Sequence, residues 1–267
     1  MKELNVIILA AGLGKRMNSS LPKVLHSLAG KSLLSHVLDT ANLLLPHKIC
    51  VVYGHGNDAV RNAIVNDGLI WVKQKPQLGT GHALMQALPH LDKKGLTLVL
   101  YGDVPLISFE TLQELISASL KKDLALLTMR LDEPVGYGRI VRDTESNNII
   151  AIVEDKDINK DQQKIKEINT GIMLIPNANL HEWLPKLQNK NSQKEYYLTD
   201  IVAIAAKARE EIEAAHPSNN WEVLGVNSKV QLAALERIYQ RNYAEKLLEQ
   251  GVTLTDPSRI DIRGELN

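Results

Sequence analysis

Short apolar runs rich in β-branched residues recur along the chain, and between them apolar residues fall at helical spacing. The first run, 6–10, has no polar position, as in a strand covered on both faces. Leu33, Leu34, Val37, Leu38 and Ala41 then repeat with a helical period. Runs at 49–53, 69–72, 96–101 and 124–131 predict further strands. Helices are predicted over 59–65, from the turn at 79–81 through Leu88, and after Ser108, an N-cap with Glu110 and Thr111 in its first turn. Strands alternating with helices predict βαβ units: an α/β, Rossmann-like, mostly parallel sheet with helices on both faces.

Beyond residue 131 the rhythm changes. Two predicted strands, 136–142 and 149–154, flank the polar stretch 143–148, a hairpin signal. A strand over 168–175, helices over 180–187 and 198–208, a short strand at 212–215 and a long helix over 230–248 complete the pattern. The expected organisation is one domain over 1–227, with a smaller antiparallel lobe over 132–227 facing the parallel half. A closing helix follows over 228–252, then a segment leaving the domain over 253–267, which contains Pro257 and several charges.

Composition narrows the classes. The chain has 31 basic and 31 acidic residues, so no global field draws it to nucleic acid or a membrane surface. No apolar run reaches the roughly 18 residues a bilayer span needs. Met1 to Asn5 lacks the pattern of a signal peptide. Cys50 is the sole cysteine and lies in an apolar run, so it reads as an inert core thiol in a protein expected in the reducing cytoplasm.

The candidate chemistry lies where predicted strands end, since ligands in open α/β sheets bind beyond the carboxyl ends of strands. After the first strand come Gly12, Gly14, Lys15, Arg16 and Lys23. Small residues bring backbone N–H groups near phosphate oxygens and the cations neutralise them. The same stretch also fits a tight strand-to-helix turn with solvated basic residues. It is not a P-loop, because no Gly-Lys-Ser/Thr follows the first glycine at the required distance, and not a Rossmann fingerprint, because Met17 stands where the third glycine belongs. Asp103 follows the strongest strand, as a magnesium ligand or the start of an Asx-turn. Gln74 and Thr80 offer groups to a nucleobase edge, and Thr80 equally suits a helix cap. Glu154, Asn169 and Thr170 suit sugar hydroxyls or an exposed sheet edge. The histidines lack zinc-ligand spacing, and no Gly-x-Ser-x-Gly elbow occurs.

Seven motifs stand in order: 9–17 with Leu21-Pro22-Lys23; 77–83; Tyr101-Gly102-Asp103-Val104-Pro105-Leu106; Gly136-Tyr137-Gly138-Arg139-Ile140; 167–171; 195–200; and Gly225-Val226-Asn227. Together they resemble the uridylyltransferase domain of bacterial bifunctional N-acetylglucosamine-1-phosphate uridylyltransferase / glucosamine-1-phosphate acetyltransferases, over almost the whole chain. The resemblance implies a nucleotide-diphospho-sugar transferase fold. It also implies formation of UDP-N-acetylglucosamine and pyrophosphate from UTP and N-acetylglucosamine 1-phosphate, a precursor step for peptidoglycan and lipopolysaccharide.

The resemblance further implies that Leu9, Ala10, Ala11 and Gly12 contact the nucleotide, and that Gln74, Gly79 and Thr80 read uracil. Arg16 and Lys23 would hold the phosphates. Tyr101 and Gly102 would line the site, Gly138, Glu154 and Asn169 would bind the sugar, and Asp103 and Asn227 would hold Mg²⁺. The family's acetyltransferase and trimer interface belong to a left-handed β-helix of hexapeptide repeats, and no such repeat occurs here. This chain is therefore expected to lack that activity and to be monomeric, as an excised domain or a short homologue.

Overall fold

The computed structural model describes residues 3–12, 14–54, 58–119 and 124–264. Strand β1 (Leu4–Ala10) shows how both faces of the sheet are covered: Val6, Ile8 and Ala10 join one apolar cluster, Ile7 and Leu9 the other. A two-stranded ribbon, β2 (Ser27–Leu28) and β3 (Lys31–Ser32), leads into α1 (Leu33–Leu43), capped by Ser32. Then follow β4 (Lys48–Gly54), α2 (Asp58–Ala63), β5 (Leu69–Gln74), α3 (Thr80–Ala87), β6 (Leu96–Tyr101), α4 (Phe109–Ser119) and β7 (Leu124–Arg130). The second half holds β8 (Arg139–Arg142), β9 (Ile149–Val153), β10 (Glu167–Pro176), α5 (Asn177–Trp183), α6 (Asp200–Lys207), β11 (Ile212–Ala215) and α7 (Lys229–Glu249).

The main sheet runs β11-β7-β10-β6-β1-β4-β5. Strands β5, β4, β1 and β6 are mutually parallel, β10 is antiparallel to both β6 and β7, and β11 is parallel to β7. Helices α1 and α4 cover one face through Leu34, Val37, Leu112 and Leu115. Helices α3, α5 and α6 cover the other through Leu84, Trp183 and Ile201. The chain turns from β4 and β5 on one side of β1 to β6 on the other. That switch opens a crevice above the ends of β1 and β6.

Three expectations change. The helix expected over 59–65 stops at Ala63, and its start falls beside residues 55–57, which lie outside the described set. The antiparallel lobe is present, but it is continuous with the main sheet. Hairpin β8–β9 hangs on β10, and β10 is itself a central strand because its 172–175 stretch is apolar on both faces. The segment after Gln250 does not leave the domain within the described residues. It turns back along α7, where Gln240, buried in the helix, donates to the Ile262 carbonyl at 2.8 Å and accepts from its N–H at 2.8 Å. Burying an amide side chain requires such partners.

Candidate functional site

Two cavities open at the crevice. The larger, about 590 Å³, is lined by Leu9, Ala10, Ala11 and Gly12 from the end of β1, by Arg16 and Lys23 from the loop, and by Gln74, Gly79 and Thr80 from the β5–α3 turn. Tyr101, Asp103 and Asn227 close its far side. The smaller, about 200 Å³, lies beyond them against Gly136, Tyr137 and Thr170. Arg16, Tyr101, Asp103 and Asn227 line both, so they form the wall between the two spaces.

Local structure explains how the loop reaches this wall. Gly14 adopts φ +59°, and a Cβ on it would sit 2.8 Å from the Lys23 Cβ, so the loop folds over on itself there. Arg16 sits on a 3-10 turn closed by Met17 N–H to the Gly14 carbonyl at 2.9 Å, and its side chain is exposed. Pro22 precedes a second such turn, Lys23–Leu25, which buries Val24 and aims Lys23 inward. The two cations therefore approach from different directions: Arg16 borders both cavities, Lys23 only the larger. Leu13 and the Lys15 side chain lie outside the described residues.

Asp103 and Asn227 meet through the backbone. The Val226 N–H donates to the Asp103 carbonyl at 2.8 Å, and Ser228 caps α7 immediately after. The Lys23 ammonium ion-pairs with Asp103 Oδ2 and donates to Asn227 Oδ1 at 3.0 Å. A carboxylate oxygen and an amide oxygen thus already converge on one cation, in a pocket where the Lys23 and Asp103 side chains are only 11% and 15% exposed. Both are hard oxygen donors of the kind magnesium prefers.

The aromatic floor is set by a bulge. The pairing of β10 with β7 shifts between Asn169 and Met173, and Gly171 takes φ +88° inside that irregularity. A Cβ at Gly171 would lie 2.5 Å from the Tyr101 ring. Gly171→Ala is therefore expected to displace Tyr101 and to cost about 1–3 kcal/mol, the usual scale for a strained left-handed residue. Chemical denaturation checks this, and a midpoint equal to wild type would show that neither the left-handed backbone nor the Tyr101 ring resists the added methyl. Burial raises the Tyr101 pKa, reinforced by the Glu154 and Asp103 carboxylates, so it remains a neutral hydroxyl.

Gly138, Glu154 and Asn169 lie together but outside the walls of both cavities. Asn169 N–H donates to the Gly138 carbonyl at 2.9 Å, and a Cβ on Gly138 would lie 3.5 Å from Glu154 Oε2. Burial raises the Glu154 pKa, against the Thr199 hydroxyl that donates to it at 2.8 Å, while Asp200, Asp157 and Asp155 push it further up. Gly102 lies beneath the site, its N–H donating to the Leu9 carbonyl at 3.0 Å. Thr80 accepts the Leu198 N–H at 3.1 Å, which joins the 77–83 and 195–200 motifs. The larger cavity is also lined by Gln77, Gln193 and Glu195, to which local sequence assigned no role. Gln231 borders the small cavity and accepts the Asn227 N–H at 2.8 Å. Its position four residues after Asn227, at a helix start, was a usable signal.

A mostly parallel α/β sheet with a glycine-bearing loop, cations and a carboxylate above its switch point fits a nucleotide-handling protein. Residues 6–254 match the MobA-like NTP transferase domain, and the chain belongs to that family. Over all 267 residues it is 62% identical to the bifunctional protein GlmU of Nitrosospira multiformis and 57% identical to that of Nitrosomonas eutropha. It spans 58% of the length of each of these curated relatives. Its fold also matches a crystal structure of UDP-glucose pyrophosphorylase complexed with UDP-glucose, with a TM-score of 0.72 at 16% identity, covering 91% of this chain and 100% of the other. Among the described residues no helix is long and apolar enough to cross a membrane.

Proposed function

We propose that the chain joins UTP to N-acetylglucosamine 1-phosphate, giving UDP-N-acetylglucosamine and pyrophosphate. The observation that carries this is the wall of Arg16, Tyr101, Asp103 and Asn227 shared by a large and a small cavity. A reaction between two phosphate-bearing substrates needs such a meeting point, with neutralising groups on the boundary and a separate room for each substrate. High identity to the GlmU proteins supports the choice of substrates.

In this reading the nucleotide fills the larger cavity, its base toward Gln74, Gly79 and Thr80 and its phosphates over the loop. A phosphate oxygen of the sugar substrate attacks the α-phosphorus of UTP in line, and the bond to the β-phosphate oxygen breaks as pyrophosphate leaves. The nucleophile is already an anion, so no general base is required. Positioning and charge neutralisation do the catalysis, as in phosphoryl transfer generally. Arg16 offsets charge on the transferring phosphate and Lys23 charge on the leaving group. Asp103 and Asn227 would hold Mg²⁺, which supplies further neutralisation when bound. Gly138 and Asn169 adjoin Tyr137 and Thr170 in sequence, and with Glu154 they lie just beyond the smaller cavity's wall, where they would meet the acetamido end of the sugar whose phosphate lies in that cavity.

The test is pyrophosphate release across a panel of nucleoside triphosphates and sugar 1-phosphates, with and without Mg²⁺. Turnover should require Mg²⁺ and favour UTP with N-acetylglucosamine 1-phosphate over every other pair. A flat nucleotide profile would contradict the base pocket, and preference for another sugar phosphate would reassign the second substrate.

A further inference from the structure

His82 lies on the first turn of α3, outside the walls of both cavities, and nothing in the transfer step uses it. It nevertheless touches the residue on which base reading rests. Gln74 is the last residue of β5 and is 2% exposed, so each polar atom of its amide needs a defined partner. Its Nε2 donates to the Gly79 carbonyl at 3.0 Å and lies 3.1 Å from His82 Nδ1. An amide nitrogen only donates, and a neutral imidazole accepts at one ring nitrogen only. The Gln86 amide nitrogen lies 3.2 Å from the other ring nitrogen, Nε2, so two amide donors compete for one acceptor. Gln86 is only half-buried and also donates to the His82 carbonyl at 3.4 Å, whereas Gln74 is buried, so we assign the acceptor to Nδ1 and the ring proton to Nε2. Tyr196 packs along the ring with centroids 6.3 Å apart and holds it in this orientation. Burial lowers the His82 pKa, which keeps the ring neutral near neutral pH.

Both protons of the Gln74 amide are thereby spent inside the protein. What remains for a ligand is Oε1, an acceptor. We propose that His82 is a specificity-determining positioning residue, locking the Gln74 amide so that Gln74 meets a nucleobase as an acceptor only. An acceptor-only partner suits a base edge that offers a ring N–H, as uracil does at N3. It opposes cytosine, which offers a lone pair at the same atom. Without the Nδ1 acceptor, one amide proton is released and the side chain can turn to serve either base. This deepens the reading in which Gln74 faces the nucleobase and rests on it.

The experiment is equilibrium binding of UTP and of CTP by titration calorimetry, with folding followed by circular dichroism. His82→Phe keeps a ring against Tyr196 but no acceptor, and His82→Gln keeps polarity but cannot place an acceptor at the Nδ1 position. Both should narrow the UTP-over-CTP preference about tenfold, the scale of leaving one buried hydrogen-bonding group uncontrolled. His82→Asn puts an amide oxygen where Nδ1 stood and should restore the ratio to near the wild-type value. If Phe fails to fold, the Gln and Asn pair carries the same contrast. A wild-type ratio in the Gln variant, or an equal loss in the Asn variant, overturns the role assigned to His82. Gln74→Leu separates the two levels. If it leaves the ratio unchanged, or if the wild-type chain binds UTP and CTP alike, base reading by Gln74 falls and this inference falls with it.

Discussion

Lys23→Ala is expected to lower turnover on the order of 10²–10³-fold, the usual cost of losing one preorganised electrostatic contact, while tightening Mg²⁺ binding to the substrate-free chain. The two effects have one cause. Lys23 is the cation held by Asp103 and Asn227 in the free protein. In the proposed reading, a metal ion at those oxygens would compete with the ammonium, which would turn to phosphate when nucleotide binds. Alanine removes the competitor and the phosphate partner together. It also leaves Asp103, 15% exposed, without its counter-charge, so the melting temperature should fall in metal-free buffer and recover as Mg²⁺ is added. Pyrophosphate release, calorimetric Mg²⁺ titration and thermal melts read the three consequences. Weaker metal binding in the variant would mean that Lys23 supports the metal site and does not compete for it.

The same cluster shows what sequence pattern reveals and where it stops. Strand 96–101 is readable to the residue because it is apolar on both faces but for Thr97, and a glycine and an aspartate follow it. Asp103 is readable for the same reason, as a polar residue at a strand end. Asn227 is not, since its partnership with Asp103 depends on the hydrogen bond from Val226 N–H to the Asp103 carbonyl, which no local pattern encodes. Only the ordered motifs of a family resemblance pointed to it. The charged tail misled for a related reason. Its composition suits a departing segment, yet two hydrogen bonds between Gln240 and Ile262 hold it on α7. Likewise the β8–β9 hairpin signal was sound. The merging of its neighbour β10 with the central sheet is a matter of strand order, which follows from how apolar faces stack and not from any one segment. Gln193 and Glu195 reach the large cavity because the 195–200 segment docks on the 77–83 turn, through Gly81 N–H to the Tyr196 carbonyl at 2.8 Å.

Asp103→Asn should separate charge from shape at the centre of the site. The amide is nearly the same size and can still accept from Lys23, so the fold and the meeting of the two cavities should persist. The negative charge does not persist. Turnover should fall on the order of 10²–10³-fold, and the Mg²⁺ concentration giving half-maximal rate should rise, because a neutral oxygen is a weaker magnesium ligand than a carboxylate. A second readout needs no substrate. Burial raises the Tyr137 pKa and the Asp103 charge raises it further, and Asp103 is also among the causes at Tyr101. A nearby negative charge opposes ionisation of a phenol, so removing it lets the phenol ionise at lower pH. In an ultraviolet pH titration the Tyr137 transition should therefore move down toward the ordinary tyrosine value without reaching it, since burial remains. A variant with an unchanged tyrosine titration and an unchanged magnesium curve would remove Asp103 from the electrostatic centre. A shifted titration with an unchanged magnesium curve would keep its charge in the site and assign the metal to other oxygens.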